Sequence, residues 1–264
     1  MVCPFFFLRI GLVDSMEKIL DAIAVIILAA GKGTRMHSDK AKVLHPLHGK
    51  PMILHVLQTA RAIAGNDIVV VVGHQAETVK DLISKAAKVF FAVQEEQKGT
   101  GHAVQCAIPE LPAHCEQIVI LSGDVPLIRA TTLCDLVSRH MEQKNDITLL
   151  GVCLPNPFGY GRIVADATGG VERIVEEKDA TAPIKAINTV NAGIYCVDKN
   201  FLTASLAQLT PDNHQNEIYL TDIVGVARRS GMKIGLMICQ NQREVMGVNT
   251  PHDLMDLEAV PVEY

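Results

Sequence analysis

The stretch AIAVIILAAGKGTRM, Ala22 to Met36, joins an apolar run to a glycine-rich turn. The run Ala22–Ile27 is rich in β-branched residues and carries no charge, the composition of a strand buried on both faces of a parallel sheet. The continuation LAAGKGTRM, Leu28 to Met36, sets small residues and two glycines beside Lys32 and Arg35. Backbone N–H groups next to cations in such a turn can hold phosphate, and an ordinary tight turn with incidental cations is the alternative. Two familiar phosphate loops do not fit. A Walker loop needs glycine where Ile26 stands and a hydroxyl where Gly33 stands, and G-x-G-x-x-G needs glycine at Met36.

Outward from this junction, strand-like runs recur at Ala22–Leu28, Asp67–Val72, Val89–Val93 and Gln117–Leu121. Helical patterns at Met52–Ala64, Gln75–Ala86 and Thr100–Ile108 separate them, and this alternation predicts βαβ units. The second half reads differently, with strands at Asp146–Leu154, Gly161–Ala165, Val171–Glu176 and Ala192–Val197, a Gly169-Gly170 turn, and helices around Lys199–Gln208 and Leu220–Arg229. The expected fold is α/β and Rossmann-like, a mixed, mostly parallel sheet with helices on both faces and antiparallel additions. No repeat or low-complexity linker divides the chain, so residues 22–264 are read as one domain. The opening VCPFFFLRIGLV is interrupted by Arg9, has no basic segment before it and is too short to span a bilayer. Residues 1–21 are therefore expected to be a leader, disordered or not native, with Met16 as the natural start.

A formal net charge of −5 and 20 % charged residues provide no basic field for indiscriminate binding of nucleic acid, so an anionic ligand must be gripped locally. The seven cysteines (Cys3, Cys106, Cys115, Cys134, Cys153, Cys196, Cys239) are odd in number and form no C-x-x-C pair. They read as reduced, mostly buried thiols of a cytosolic protein. His45 and His48 lack zinc-site spacing and Ser122 is not in G-x-S-x-G, so neither zinc nor a covalent serine intermediate is expected.

Ligands of open α/β sheets bind beyond the carboxyl ends of the strands. Those ends carry the Gly31 loop, the segment Gln94–Thr100, and Ser122-Gly123-Asp124. Asp124, closing the apolar run VILS, suits either an oxygen ligand for Mg²⁺ or a helix N-cap. Lys42 and Arg35 offer two cations to a phosphate chain, although an isolated lysine is commonly a solvated charge. The amides of Gln94 and Gln97 could read a base edge such as that of uracil or face solvent. These parts suit direct displacement at phosphorus.

The phrases LAAGKGTRM, KVLHPLHGKPM, QEEQKGTGHA, LSGDVPL, GYGRI, IVEEKDA, NAGIY, NEIYLTD and GVN occur in this order. From Ala24 to about Val260 the chain thereby resembles the sugar-1-phosphate nucleotidyltransferases. It is most similar to the uridylyltransferase half of a bifunctional bacterial enzyme that makes UDP-N-acetylglucosamine from UTP and N-acetylglucosamine 1-phosphate. The resemblance implies that Leu28, Ala29, Ala30, Gly31, Gln94, Gln97, Gly99 and Thr100 hold the uridine nucleotide. It implies that Arg35 and Lys42 are catalytic cations and that Asp124 and Asn249 hold Mg²⁺. Gly161, Glu176 and Asn191 would recognise the sugar phosphate, with Tyr219 and Thr221 nearby. Glucose or N-acetylmuramic acid 1-phosphate are the alternative acceptors, and a non-catalytic nucleotide-sugar-binding module is the alternative class. The sequence contains no hexapeptide repeat, so the acetyltransferase activity of the bifunctional enzyme is not expected. Met246 stands before GVN where the family commonly has an acidic residue.

Overall fold

The computed structural model of the protein describes residues 22–259, so the expectations for the leader and the last residues lie outside the described residues. The first half runs β1 (Ile23–Ala29), a hairpin of β2 (Pro46–Leu47) and β3 (Lys50–Pro51), α1 (Met52–Ala64), β4 (Ile68–Val72), α2 (Ala76–Ser84), β5 (Phe90–Val93), α3 (Thr100–Ala107) and β6 (Gln117–Ser122). The second runs α4 (Ala130–Gln143), β7 (Ile147–Cys153), β8 (Arg162–Ala165), β9 (Val171–Val175), α5 (Ala182–Lys185), β10 (Thr189–Asp198), α6 (Lys199–Leu206), α7 (Asp222–Arg229), β11 (Ile234–Cys239) and α8 (Pro251–Glu258).

One sheet takes the order β11-β7-β10-β6-β1-β4-β5, with β8 on β10 and β9 on β8. β1 pairs in parallel with both β4 and β6, and β4 with β5. β10 runs antiparallel to its neighbours β6 and β7, while β11 is parallel to β7. The sheet is mixed and mostly parallel, as expected.

β1 is central because alternate residues serve opposite cores. Ile23, Val25 and Ile27 pack with α1 and α4, whereas Ala24 and Ile26 pack with α3, α6 and α7. That arrangement explains a strand without polar alternation: neither face meets water. The chain leaves β1 for β4 and β5 on one side and returns to β6 on the other. Ligand-binding loops of such sheets gather at this reversal.

The structure adds α4, α5, β11, α8 and the β2–β3 hairpin to the elements read from sequence. β10 begins at Thr189 rather than Ala192, and its register shifts between Asn191 and Ile194. Gly193, at φ 72°, lets the chain make that bulge.

Candidate functional site

The loops after β1 and β6 are locked together by backbone contacts that glycine alone permits. Gly123 N donates to Leu28 O (2.9 Å), and a Cβ on Gly123 would stand 3.0 Å from that same oxygen. Gly33 has φ 64°, and a Cβ there would fall 2.6 Å from Lys42 Cβ. Gly33 thus lets the segment carrying Lys42 cross directly over the turn. Gln75 holds that segment from its other side, accepting from Ala41 N and donating to Asp39 O, both at 2.8 Å. Gly31 stays exposed, with nothing within 4 Å of its Cβ position.

Four of the residues singled out by sequence meet here. Lys42 forms an ion pair with Asp124 and donates to Asn249 Oδ1 at 3.2 Å; Arg35 Nη2 donates to the same Asn249 oxygen at 2.8 Å. Lys42 is not a solvated surface charge, being only 15 % exposed. Asp124 is not a helix N-cap either, since Arg129 occupies that position of α4. Asn249 is fixed from behind: its N–H donates to Asp253 Oδ2 (2.9 Å), and Thr250 and Asp253 form a reciprocal capping box that opens α8. Val248 N donates to Asp124 O at 2.9 Å. Val248 and Leu257 also pack with Met36, Leu47 and Met52, a small core that supports the turn bearing Arg35. A carboxylate and an amide oxygen converging on one ammonium are hard donors of the kind that suits Mg²⁺. With two adjoining cations, the cluster can neutralise a polyanion.

On the β5 side, Gln94 is 3 % exposed rather than solvent-facing. Its Nε2 donates to Gly99 O (3.0 Å) and lies 3.0 Å from His102 Nδ1. Gln97 Nε2 donates to Gln94 O at 3.1 Å. Gly99, at φ 106°, precedes α3, and a Cβ on it would come within 2.5 Å of Ile218 O. The Thr100 hydroxyl accepts from Leu220 N (3.0 Å), so this side chain acts as a strut to the Ile218–Leu220 segment. Sequence reasoning missed Gly73, whose Cβ would meet Ala30 O, Gln94 O and Gln97 Nε2, each at 2.9 Å. The signal was available: a glycine directly after five buried valines and isoleucines.

The second-half residues form an adjoining group. Thr221 Oγ1 donates to Glu176 Oε1 (3.1 Å), and a Cβ on Gly161 would stand 3.3 Å from that oxygen. Asn191 N donates to Gly161 O (2.9 Å), while its side-chain amide donates to Tyr195 Oη at 2.6 Å. Burial pushes the Glu176 carboxyl above the usual range, against the Thr221 hydrogen bond. The Tyr219 hydroxyl instead accepts from Gln215 Nε2 at 2.6 Å. Arg162, also missed, is 2 % exposed and ion-paired with Glu177 (2.7 Å), and Glu177 in turn accepts from Gly159 N (3.2 Å). This pair fixes the turn before β8. Burial raises the pKa of the Tyr160 hydroxyl in that turn and the neighbouring Gly247 backbone opposes the shift, which puts the second-half group beside the Asn249 loop.

Among the described residues, one His/Cys/Asp group brings ligand atoms together, Asp67, His114 and Cys115. It precedes β4 and β6, at the end of the sheet away from the Asp124 loop. Burial and the Asp67 charge push the Cys115 thiol up to about 11. Of the described cysteines, Cys115, Cys134, Cys196 and Cys239 are buried, Cys106 is half-buried and Cys153 is exposed. No helix among the described residues is long and apolar enough to cross a membrane.

Residues 24–240 match the family model described as Nucleotidyl transferase. The chain is 48% identical over 230 residues to "Bifunctional protein GlmU" of Geotalea uraniireducens (strain Rf4), covering 87% of this chain and 50% of that protein. It is 43% identical over 232 residues to the protein of that name from Desulfotalea psychrophila (strain LSv54 / DSM 12343), covering 88% and 68%. To that of Brevibacillus brevis (strain 47 / JCM 6285 / NBRC 100599) it is 45% identical over 240 residues, covering 91% and 52%. The chain spans about half the length of the first of these relatives.

Proposed function

Because the chain belongs to the nucleotidyl transferase family, we propose that it transfers a uridylyl group from UTP to N-acetyl-α-D-glucosamine 1-phosphate, giving UDP-N-acetylglucosamine and pyrophosphate. The observation that carries this reading is the meeting of Arg35, Lys42, Asp124 and Asn249 at the loops leaving β1 and β6. Similarity to proteins named GlmU supports the choice of nucleotide and sugar.

The uridine is held by the backbone of Leu28, Ala29, Ala30 and Gly31 together with Gln94, Gln97, Gly99 and Thr100. Gly161, Glu176 and Asn191 receive the sugar phosphate, with Thr221 orienting Glu176 and Tyr219 bracing the adjoining loop. A sugar phosphate oxygen attacks the α-phosphorus in line, and the bond to the leaving pyrophosphate breaks with its electron pair. Arg35 and Lys42 neutralise the charge that shifts onto the phosphate oxygens. Fixing two anions in this geometry contributes about 7–11 kcal/mol. Asp124 and Asn249 would hold Mg²⁺, which when bound supplies further positive charge to the triphosphate.

Pyrophosphate release from UTP and Mg²⁺ tests the reading with N-acetylglucosamine 1-phosphate compared against the glucose and N-acetylmuramic acid analogues. The N-acetylglucosamine compound should turn over fastest, and a faster alternative would move the assignment to that sugar. Asp124→Ala should lower kcat by about 10²–10³ with the melting temperature preserved. Near-normal turnover would remove Asp124 from the site.

A further inference from the structure

The Gln94 side chain is buried at the end of β5, and both of its amide protons are already committed. Gly99 O, a carbonyl that can only accept, lies 3.0 Å from Nε2 and so determines which end of the amide faces it. The remaining Nε2 proton points to His102 Nδ1 at 3.0 Å. That ring nitrogen must therefore be the unprotonated one, and the ring proton sits on Nε2, 3.8 Å from Cys106 Sγ. His102 and Cys106 lie one turn apart on α3, the helix that Gly99 opens. Oε1 accepts no hydrogen bond among the described residues, which leaves Gln94 a pure acceptor toward any ligand.

We infer that His102 is a positioning residue that holds the Gln94 amide with its oxygen toward the nucleobase, so that the site selects a base edge whose ring nitrogen carries a proton. This rests on the reading above in which Gln94 faces the base. Uracil presents N3–H and satisfies the oxygen. Cytosine presents an unprotonated N3, and the two acceptors would oppose one another. An unrestrained amide could rotate by 180° and serve cytosine with its NH₂ group. The carbonyl of Gly99 and the ring of His102 together prevent that rotation. His102 touches no substrate; it acts through Gln94.

The test compares kcat/KM for UTP and CTP, each with N-acetylglucosamine 1-phosphate, in the full chain and in His102→Leu, His102→Asn and Gln94→Ala. His102→Leu removes the acceptor and should raise the KM for UTP and shrink the UTP preference over CTP, each by about tenfold, with the KM for the sugar phosphate unchanged. His102→Asn can place Oδ1 where Nδ1 stood, and should restore most of the preference. A His102→Leu protein that melts earlier and turns over more slowly, but keeps the UTP:CTP ratio, would reduce His102 to a structural role and overturn the inference. Should His102→Leu not fold, His102→Ala takes its place, since it too removes the acceptor facing Gln94: a UTP:CTP ratio lowered about tenfold supports the inference, and an unchanged ratio overturns it. Gln94→Ala separates the two levels. A ratio that survives Gln94→Ala removes Gln94 from base reading, whereas a ratio lost there but kept in His102→Leu sinks the positioning role alone.

Discussion

Glu176 shows how burial and recognition compete at one carboxyl. Desolvation is the largest influence on it and raises its pKa above 4.5, while the Thr221 hydroxyl opposes the shift and the Asp222 and Asp179 charges add to it. A carboxyl whose folded pKa is raised favours the native state fully below its ordinary value, and that contribution is lost as pH rises through the folded value. Glu176→Gln keeps an oxygen for Thr221 and removes the ionisable proton. Its melting temperature should exceed that of the wild type at neutral pH, with the gap closing once the pH falls below 4.5. The same variant should raise the KM for the sugar phosphate by about tenfold to a hundredfold, since a charged hydrogen bond to a hydroxyl is replaced by a neutral one. A KM that stays put would show that Glu176 does not face the sugar. Charged and amide residues at the strand ends were legible from the sequence because their types announce a chemistry. Gln75 and Arg162 were not, because one acts by clamping the backbone of the Asp39–Ala41 segment and the other by pairing with Glu177 beneath a turn, whereas Gly73 was marked only by its place after β4.

Among the elements, α8 carries consequences beyond its length. Its first residues hold Asn249, while Leu257 on its far turn is 1 % exposed and packs into the small core with Met36. Met36 closes the short helical turn that presents Arg35. Truncating Leu257 to alanine should cost about 2–5 kcal/mol through the cavity and lost contacts, which a denaturant titration measures. Turnover should fall as well, because the loosened core lies under both Arg35 and Asn249; an unchanged kcat would show that the turn keeps its shape without α8. The strands and helices of the βαβ half were readable from uniform apolar runs and helical spacing. α4 and α8 escaped because each mixes polar and apolar residues on a half-exposed surface, whereas β11 is a short apolar run, IGLMIC, at the sheet edge, with intermediate exposure at Ile234, Leu236, Met237 and Ile238. The bulge in β10 was equally hidden, since Ala192-Gly193 reads as a strand start until Asn191 is seen paired with Gly151.

Across the whole molecule, protection follows position in the sheet. β1 is flanked by parallel partners on both sides and covered on both faces, with Ile23 to Ile27 fully buried. β5 closes one edge, with Phe90 at 44% and Val93 at 45% exposure. Hydrogen exchange followed by mass spectrometry should find β1 and β6 amides exchanging last and β5 amides first among the strands; slow exchange confined to β5 would contradict the layering. The place of β10 has a further consequence for how the chain is made. During translation β6 and β7 leave the ribosome well before the strand that must lie between them. Until Thr189–Asp198 emerges, β6 presents a bare edge at Gln117–Ser122, and β7 has no sheet partner, since both of its neighbours, β10 and β11, follow it in the chain. β10 therefore bridges the edge of β6 to a β7 made long before it, and the interval between those two syntheses is when the nascent protein is most open to pairing with a neighbour.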